Sequence, residues 1–301
     1  MIRSPNLLKT RPGRQTADQM LVIERAHAKI NLALHIIGRR SDGYHELDSI
    51  VAFADVADVL TIGPATEVSI SLSGPFANDL PPDGENIILK AWYLLAGYAG
   101  KKNLPFSPVK FHLEKNLPVA SGIGGGSADA AAALRGLTQS FKLSIPPQNL
   151  NELALRLGAD VPICLVQKSS RMRGIGEIVE PIDIDLPSGI VLVNPRVPTP
   201  TSRVFETLGL AQGQSFGTAI GDLSDIRNWR NDLTSPAIKI VPEIASVLES
   251  LNSQPGIICA RMSGSGASCF GLFESLERAQ VVANVISVTH SNWWVEATTL
   301  L

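Results

Sequence analysis

The sequence predicts an α+β protein of two domains, an inference that depends on three observations. Strand-like patterns in the first half lead into a glycine-rich loop followed by an alanine-rich helix. From Ile190 onward the order becomes strand, helix, strand, strand, helix, strand, which is the ferredoxin-like order. Between Arg171 and Pro187 the periodicity is interrupted by Gly174, Gly176 and Pro181, which marks a boundary. A chain of 301 residues suits two domains, and we predict an extension at residues 1–20 and domains at 21–178 and 179–301.

The first domain opens with a strand from Val22 to Ile37, because apolar side chains alternate with polar or small ones. Its alternation places Lys29 and Asn31 on one face. A polar turn at residues 38–43 and an apolar run from Ile50 to Phe53 predict a hairpin. The remaining elements predicted for this domain are strands at Val59 to Ile62, Val68 to Leu72 and Val109 to Glu114, a loop from Gly74 to Gly84, and helices at Ile87 to Tyr98 and Leu150 to Leu157.

In the second domain, strand-like alternation and helix-like spacing of apolar residues follow each other in a different order. Its predicted elements are a strand from Ile190 to Val193, a helix from about Pro236 to Asn252, strands at Ile257 to Met262 and Ser268 to Phe273, a helix from about Leu276 to Val288, and a strand from Trp293 to Thr298.

Composition excludes several classes of protein. The formal net charge is -2 and there is no long basic run, so we expect no nucleic-acid partner. No apolar run approaches the roughly 18 residues that cross a bilayer, so we expect no membrane partner. The spacing of Cys164, Cys259 and Cys269 suits buried thiols in a reducing compartment, and we expect a cytoplasmic protein. Residues 1–20 are basic and carry little apolar periodicity, which predicts disorder.

A glycine-rich loop is the strongest chemical signal in the chain. Glycines keep side chains away from a bound anion, and the following helix directs backbone N–H groups and its positive dipole end toward it. No lysine precedes the serine, which excludes a Walker loop, and a serine replaces the third glycine of the dinucleotide fingerprint. A plain tight turn is the alternative. The loop consists of Pro118, Val119, Ala120, Ser121, Gly122, Ile123, Gly124, Gly125, Gly126, Ser127 and Ala128, and we place the first helical turn at Ser127 to Asp129.

Two further features are ambiguous alone. Asp160 follows a helix that ends at Gly158, where it could face a cleft or satisfy its own turn. A second small-residue turn, comprising Ser263, Gly264, Ser265 and Gly266, would alone be read as a tight hairpin. Because each domain supplies one such loop, we interpret the two loops as opposite walls of a phosphate cleft.

Several of these stretches together resemble the GHMP small-molecule kinases. PVASGIGGGSA is similar to that family's nucleotide-phosphate motif, and RMSGSGASCFGLF to its C-terminal glycine motif. AKINLAL, GRRSDGYHEL, GADVP, PTSRVF and NDL resemble the branch that phosphorylates the 2-hydroxyl of cytidine diphosphate methylerythritol in the non-mevalonate isoprenoid pathway. The resemblance implies an N-terminal domain of ribosomal-protein-S5 type, a ferredoxin-like C-terminal domain, and an active site between them.

The resemblance also implies residue roles. Lys29 and Asp160 match the catalytic pair, and the glycine loop would bind ATP, with Mg²⁺ held largely by phosphates and water. Ala128 departs from the family pattern, in which a second serine is common. The positions that match substrate-binding residues are Asn31, Tyr44, His45, Thr201 and Phe205. We expect a small-molecule substrate and a monomer or weak dimer.

Three alternatives remain open. Another GHMP kinase or the related decarboxylase would have no preference for cytidine. A regulatory nucleotide-binding module would have lost catalysis, although both Lys29 and Asp160 are present. An RNA-binding protein that shares the S5-like domain is disfavoured by the net charge of -2.

Overall fold

A computed structural model describes residues 21–80 and 86–301. The predicted disorder of residues 1–20 and part of the predicted loop at 74–84 lie outside the described residues. The strands are β1 (Val22–Arg39), β2 (His45–Pro64), β3 (Ser69–Ser73), β4 (Val109–Glu114), β5 (Ser170–Gly174), β6 (Ile178–Pro181), β7 (Gly189–Asn194), β8 (Cys259–Met262), β9 (Cys269–Phe273) and β10 (Trp294–Thr299). The helices are α1 (Ile87–Lys101), α2 (Gly125–Ser140), α3 (Pro147–Leu157), α4 (Val161–Val166), α5 (Thr201–Leu208), α6 (Thr234–Ile240), α7 (Glu243–Asn252) and α8 (Leu276–Thr289), with a short 3-10 turn at Ala77–Asp79.

The first sheet has six strands and is built on the long antiparallel pair β1 and β2. One half of β2 also pairs with β5, and its other half pairs with β4, which continues in parallel to β3. The alanine-rich α2 packs on this sheet through buried small side chains, which let helix and strands approach closely. The loop before α2 is thereby brought against the middle of β1.

The second sheet has the order β10-β7-β9-β8, with every neighbouring pair antiparallel. Numbered within its own domain this is 4-1-3-2, the ferredoxin-like arrangement, so the predicted α+β fold class is confirmed. Among the described residues, no helix is long and apolar enough to cross a membrane.

Several predicted boundaries differ from those in the structure. The two strands predicted at 50–53 and 59–62 are one strand, β2, because the polar break between them is a bulge opposite His27 and Ala28. The helix predicted from 236 to 252 is interrupted at Val241, since Pro242 has no N–H to continue it. The domain boundary at 178/179 falls inside β6, which pairs with β5 of the first sheet; Gly174 and Gly176, both at positive φ, form a hairpin turn rather than a linker.

A segment from the second half of the chain returns to the edge of β1. Isolated bridges join Leu34 to Asn231 and Gly38 to Ser215, and Arg39 N donates to Gln214 O at 2.8 Å. We call residues 213–232 the return segment. It attaches the second half of the chain to β1 through backbone hydrogen bonds beside the turn at residues 40–44.

A buried ion pair fixes the return segment to the first sheet. Arg171 on β5 donates to both carboxylate oxygens of Asp48 on β2, at 2.8 and 2.6 Å, and Ile220 N donates to Oδ2 at 2.7 Å. Burial alone would raise the pKa of Asp48, but the hydrogen bonds from Arg171 and Ile220 outweigh it and hold this pKa below its usual value. The carboxylate therefore joins three parts of the chain.

Candidate active site

The structure brings Lys29 and Asp160 together although 131 residues separate them. Lys29 Nζ donates to Asp160 Oδ2 at 2.7 Å. The lysine side chain is only 4% exposed, whereas that of Asp160 is 36% exposed, so the carboxylate faces an open side of the molecule. Asp160 immediately precedes α4, whose Pro162 suits the first turn of a helix. This short helix was not predicted, and it fixes the position of the carboxylate.

The glycine loop lies directly against Lys29. Lys29 N donates to Ile123 O at 2.9 Å, which attaches the loop to β1. A Cβ on Gly124 would lie 3.2 Å from Cβ of Lys29, so a glycine is needed for this close approach. Gly124 has φ +66° and caps α2, which begins at Gly125 rather than at Ser127 as predicted. The first backbone N–H groups of α2 therefore emerge beside the lysine.

The second small-residue loop connects β8 and β9 and contacts the first loop instead of facing it across a gap. A Cβ on Gly122 would overlap Ser263 O and would lie 2.8 Å from Gly266 N. Ser263 Oγ donates to Gly122 O at 3.0 Å and accepts from Asn31 N at 3.0 Å. The four residues of the second loop that were predicted to line a phosphate cleft are all buried. The interpretation of two opposite walls is therefore corrected: the second loop supports the first from behind.

An amide on the return segment holds the second loop in place. Asn231 Nδ2 donates to Met262 O at 2.7 Å and to Gly264 O at 2.8 Å. Its Oδ1 accepts from Leu233 N at 2.9 Å, so every polar atom of the side chain is used. Asn231 belongs to the NDL motif, but its role as a support for this loop was not predicted.

The residues predicted to bind the substrate lie in two groups. His45 and Phe205 form a ring pair with centroids 4.7 Å apart, although His45 begins β2 and Phe205 lies on α5. Thr201 Oγ1 is 2.8 Å from Ser265 Oγ. Tyr44 is 61% exposed on the turn before β2, and among the described residues its ring makes no aromatic contact. The structure therefore brings His45 and Phe205 together, while the ring of Tyr44, the residue before His45, is exposed.

Two of the residues predicted to bind the substrate carry polar atoms without a hydrogen-bond partner. His45 Nε2 and Asn31 Oδ1 are buried without a hydrogen-bond partner, while Asn31 Nδ2 donates to Ser49 Oγ at 2.8 Å. Burial, and then the nearby Arg39, lower the pKa of His45, so its ring is neutral at physiological pH. A neutral imidazole with a free nitrogen can hydrogen-bond to the edge of a base.

A buried charge cluster beneath the loop was not found from the sequence. Lys115 Nζ donates to Asp58 Oδ2 at 2.5 Å and to Asp129 Oδ2 at 2.7 Å. Asp58 Oδ1 also accepts from the N–H groups of Asn116, at 2.6 Å, and Leu117, at 2.8 Å. Burial would lower the pKa of Lys115, but attraction to both carboxylates raises it overall. Lys115 comes just before the loop, which was a usable signal; its partners are 57 and 14 residues away.

Comparison with known proteins agrees with this geometry. The model of the GHMP kinases N terminal domain matches residues 86–168, and that of the GHMP kinases C terminal domain matches residues 214–288. A Rhizobium etli protein named 4-diphosphocytidyl-2-C-methyl-D-erythritol kinase is 46% identical, with 95% of this chain and 97% of that protein covered. The chain belongs to the 4-diphosphocytidyl-2-C-methyl-D-erythritol kinase family. A Bradyrhizobium member of this family is 43% identical over 92% of this chain and 96% of its own length.

Solved structures extend the family comparison. The crystal structure of a 4-(cytidine 5'-diphospho)-2C-methyl-D-erythritol kinase has a TM-score of 0.77 and 31% identity, covering 93% of this chain and 99% of that one. A homoserine kinase from Cytophaga hutchinsonii, with a TM-score of 0.62 and 16% identity over 96% of this chain and 98% of its own, shares the fold. The two domain models contain both glycine loops and Asp160, but Lys29 and the Tyr44 turn lie before the first of them.

Proposed function

We propose that this protein transfers the terminal phosphoryl group of ATP to the 2-hydroxyl of 4-diphosphocytidyl-2-C-methyl-D-erythritol. The observation that carries the mechanism is the 2.7 Å contact of Lys29 with Asp160 immediately beside the glycine loop. Family membership supports the substrate, because the relatives that match along nearly their whole length carry this name.

The glycine loop is proposed to hold the ATP phosphates. Backbone N–H groups at the start of α2, together with its dipole, stabilise an anion at this position. The second loop and Asn231 keep the first loop in shape, since Gly122 allows no displacement toward Ser263. Binding of the nucleotide therefore depends on backbone geometry that both domains maintain.

Asp160 is proposed as the proton acceptor. Lys29 occupies Oδ2, and the exposed side of the carboxylate is left to accept the hydroxyl proton. As that O–H bond breaks, the oxygen forms a bond to the γ-phosphorus, the bond from this phosphorus to the β-γ bridging oxygen breaks, and ADP leaves. Lys29 orients Asp160 and stabilises the negative charge. A positioned base of this kind contributes about 10²–10⁴-fold in rate.

His45, Phe205, Tyr44, Thr201 and Asn31 are proposed to recognise the substrate. The rings of Phe205 and Tyr44 suit a flat cytosine, and the free Nε2 of His45 suits its polar edge. Asn31 and Thr201 would hold other polar parts of the molecule. Thr201 also contacts Ser265 of the second loop, which supports the loop proposed to hold the phosphates.

Magnesium enters this proposal with the nucleotide. Among residues 21–80 and 86–301 there is no group of three or more His, Cys, Asp or Glu side chains arranged to hold a metal ion. We therefore assign it no protein ligand. When bound to ATP, Mg²⁺ neutralises phosphate charge.

The test is an assay of ADP release with a panel of acceptors. We expect turnover with 4-diphosphocytidyl-2-C-methyl-D-erythritol and none of comparable rate with galactose, homoserine or mevalonate. Asp160→Asn should lower kcat by about 10²–10⁴-fold while the circular dichroism spectrum is unchanged. Asp185→Asn, which alters an exposed acid outside the site, is the matched control. Equal turnover with the other acceptors would refute the substrate, and an active Asp160→Asn enzyme would refute the base.

A further inference from the structure

The cluster of Lys115, Asp58 and Asp129 lies under the first residue of α2 and has no role in the mechanism above. A Cβ on Gly125 would be 3.3 Å from Lys115 Nζ and 3.8 Å from Asp58 Oδ2. The ammonium therefore occupies the space beside Gly125 that a side chain would fill, on the interior side of the loop. Because phosphates are proposed to bind the outer side of that backbone, the net charge of the cluster acts on them across a single layer of peptide.

The charges of this cluster do not balance when all three groups are ionised. Two carboxylates and one ammonium leave a net charge of −1 beneath a site for anions, and the low dielectric of the interior strengthens the resulting repulsion. Both oxygens of Asp58 accept hydrogen bonds from N–H donors, whereas the other acid of the cluster has one oxygen without a partner. A proton that neutralises the cluster would therefore be placed on its other acid.

Asp129 has the environment of a carboxyl group that holds a proton. Its Oδ2 accepts from Lys115, but its Oδ1 is buried without a hydrogen-bond partner. Burial raises the pKa of Asp129 to about 7, although the attraction of Lys115 acts in the opposite direction. The group thus titrates where a bound anion nearby can shift its protonation.

We propose that Lys115 and Asp129 are positioning residues for the nucleotide, and that a proton on Asp129 keeps the cluster neutral while phosphates are bound to the loop. The proposal rests on the proposed function, because it assumes that the loop binds nucleotide phosphates. It goes further in linking nucleotide affinity to one buried proton. Loss of that proton weakens binding, since the cluster then repels the ligand.

The neighbouring charged groups are already paired. Lys29 on β1 pairs with Asp160, which precedes α4, and Arg135 on α2 donates to Glu24 on β1 at 2.8 Å. On α4, burial raises the pKa of Cys164 to about 12, so this thiol stays neutral. Asp129, by contrast, has a buried oxygen without a partner and a pKa raised to about 7.

The experiment is isothermal titration calorimetry with ADP and no metal, at pH 6.0 and 8.5, on the whole protein. We compare wild type with Asp129→Asn, and use Glu114→Gln, which removes an exposed charge one residue before Lys115, as the matched control. Because the same ADP titrates in every experiment, its own protons cancel in the comparison. We expect Asp129→Asn to bind ADP about threefold to tenfold more tightly than wild type at pH 8.5, and equally at pH 6.0. Glu114→Gln should follow wild type at both values.

A second measurement needs no variant. At pH 8.0 the ADP phosphates have already lost their protons, so heats measured in buffers of different ionisation enthalpy report protons taken up by the protein. We expect wild type to take up about 0.2–0.5 of a proton on binding ADP, which is the uptake that a threefold to tenfold change in affinity requires of a carboxyl group whose pKa is about 7. An Asp129→Asn affinity that keeps a constant ratio to wild type, or no proton uptake at pH 8.0, would overturn the inference. Absence of ADP binding by wild type at every pH would instead overturn the proposed function.

Discussion

Gly122→Ala tests whether the two glycine loops are in contact. Gly122 has φ +79°, a conformation that disfavours an L side chain by roughly 1–2 kcal/mol. The added Cβ would also overlap Ser263 O and lie 2.8 Å from both N and O of Gly266. Backbone atoms cannot rotate away as a side chain can, and forcing extra volume into a packed site destabilises by about 1–3 kcal/mol. Together these terms predict a loss of about 2–5 kcal/mol in the free energy of unfolding.

The measurement is urea unfolding followed by circular dichroism, together with kcat and KM for ATP. Gly97→Ala is the matched control, because Gly97 lies inside α1 and no atom would lie within 4 Å of its new Cβ. Alanine should stabilise that helix by about 0.5–1 kcal/mol and leave the activity unchanged. If Gly122→Ala unfolded at the same urea concentration as wild type, the direct contact between the loops would be refuted.

Two further predictions follow from the substrate side and from the return segment. Tyr44→Ala and Phe205→Ala should each raise KM for the cytidine substrate by about tenfold, since one stacked base contributes about 1–3 kcal/mol, and should leave KM for ATP nearly unchanged; equal losses for both substrates in steady-state kinetics would contradict cytosine stacking. Asp48→Asn should lower the free energy of unfolding by about 3–5 kcal/mol at pH 7, because Arg171 is left without its partner. Since the pKa of Asp48 is held below its usual value, its stabilisation is full above about pH 4 and is lost as the pH falls through the folded-state pKa. Urea unfolding at pH 7 and pH 3 should show this difference shrinking, and a constant difference would contradict the role of the ion pair.

Local patterns predicted most of the secondary structure but not the breaks in it. Strand β4, whose side chains alternate between buried and exposed, and helix α1 follow directly from periodicity. The polar interruption in β2 was read as a gap between strands, because a bulge keeps the pairing while it disturbs the alternation. The hairpin of β5 and β6 was read as a boundary because two glycines can serve either a turn or a linker.

Site residues that belong to a recognisable motif could be predicted from the sequence. Contacts between distant parts of the chain could not. Lys29 and Asp160 were paired through resemblance to the family, and the structure places them 2.7 Å apart. The second loop was correctly predicted to lie near the first, but it was placed on an opposite wall instead of in contact. A sequence does not show whether two glycine turns face each other across a cleft or touch. The cluster around Lys115 was missed, because an isolated buried lysine looks the same in sequence as a solvated one.

The return segment limits how far the two sheets can move relative to each other. Strand β1 is hydrogen-bonded along its length to β2. The second half of β1 is also hydrogen-bonded, on its other edge, to the return segment. Opening the molecule between the sheets would therefore require these backbone bonds and the Asp48 contacts to break together. The return segment therefore opposes movement of the second half of the chain relative to the hairpin of β1 and β2, which carries both Lys29 and the turn with Tyr44.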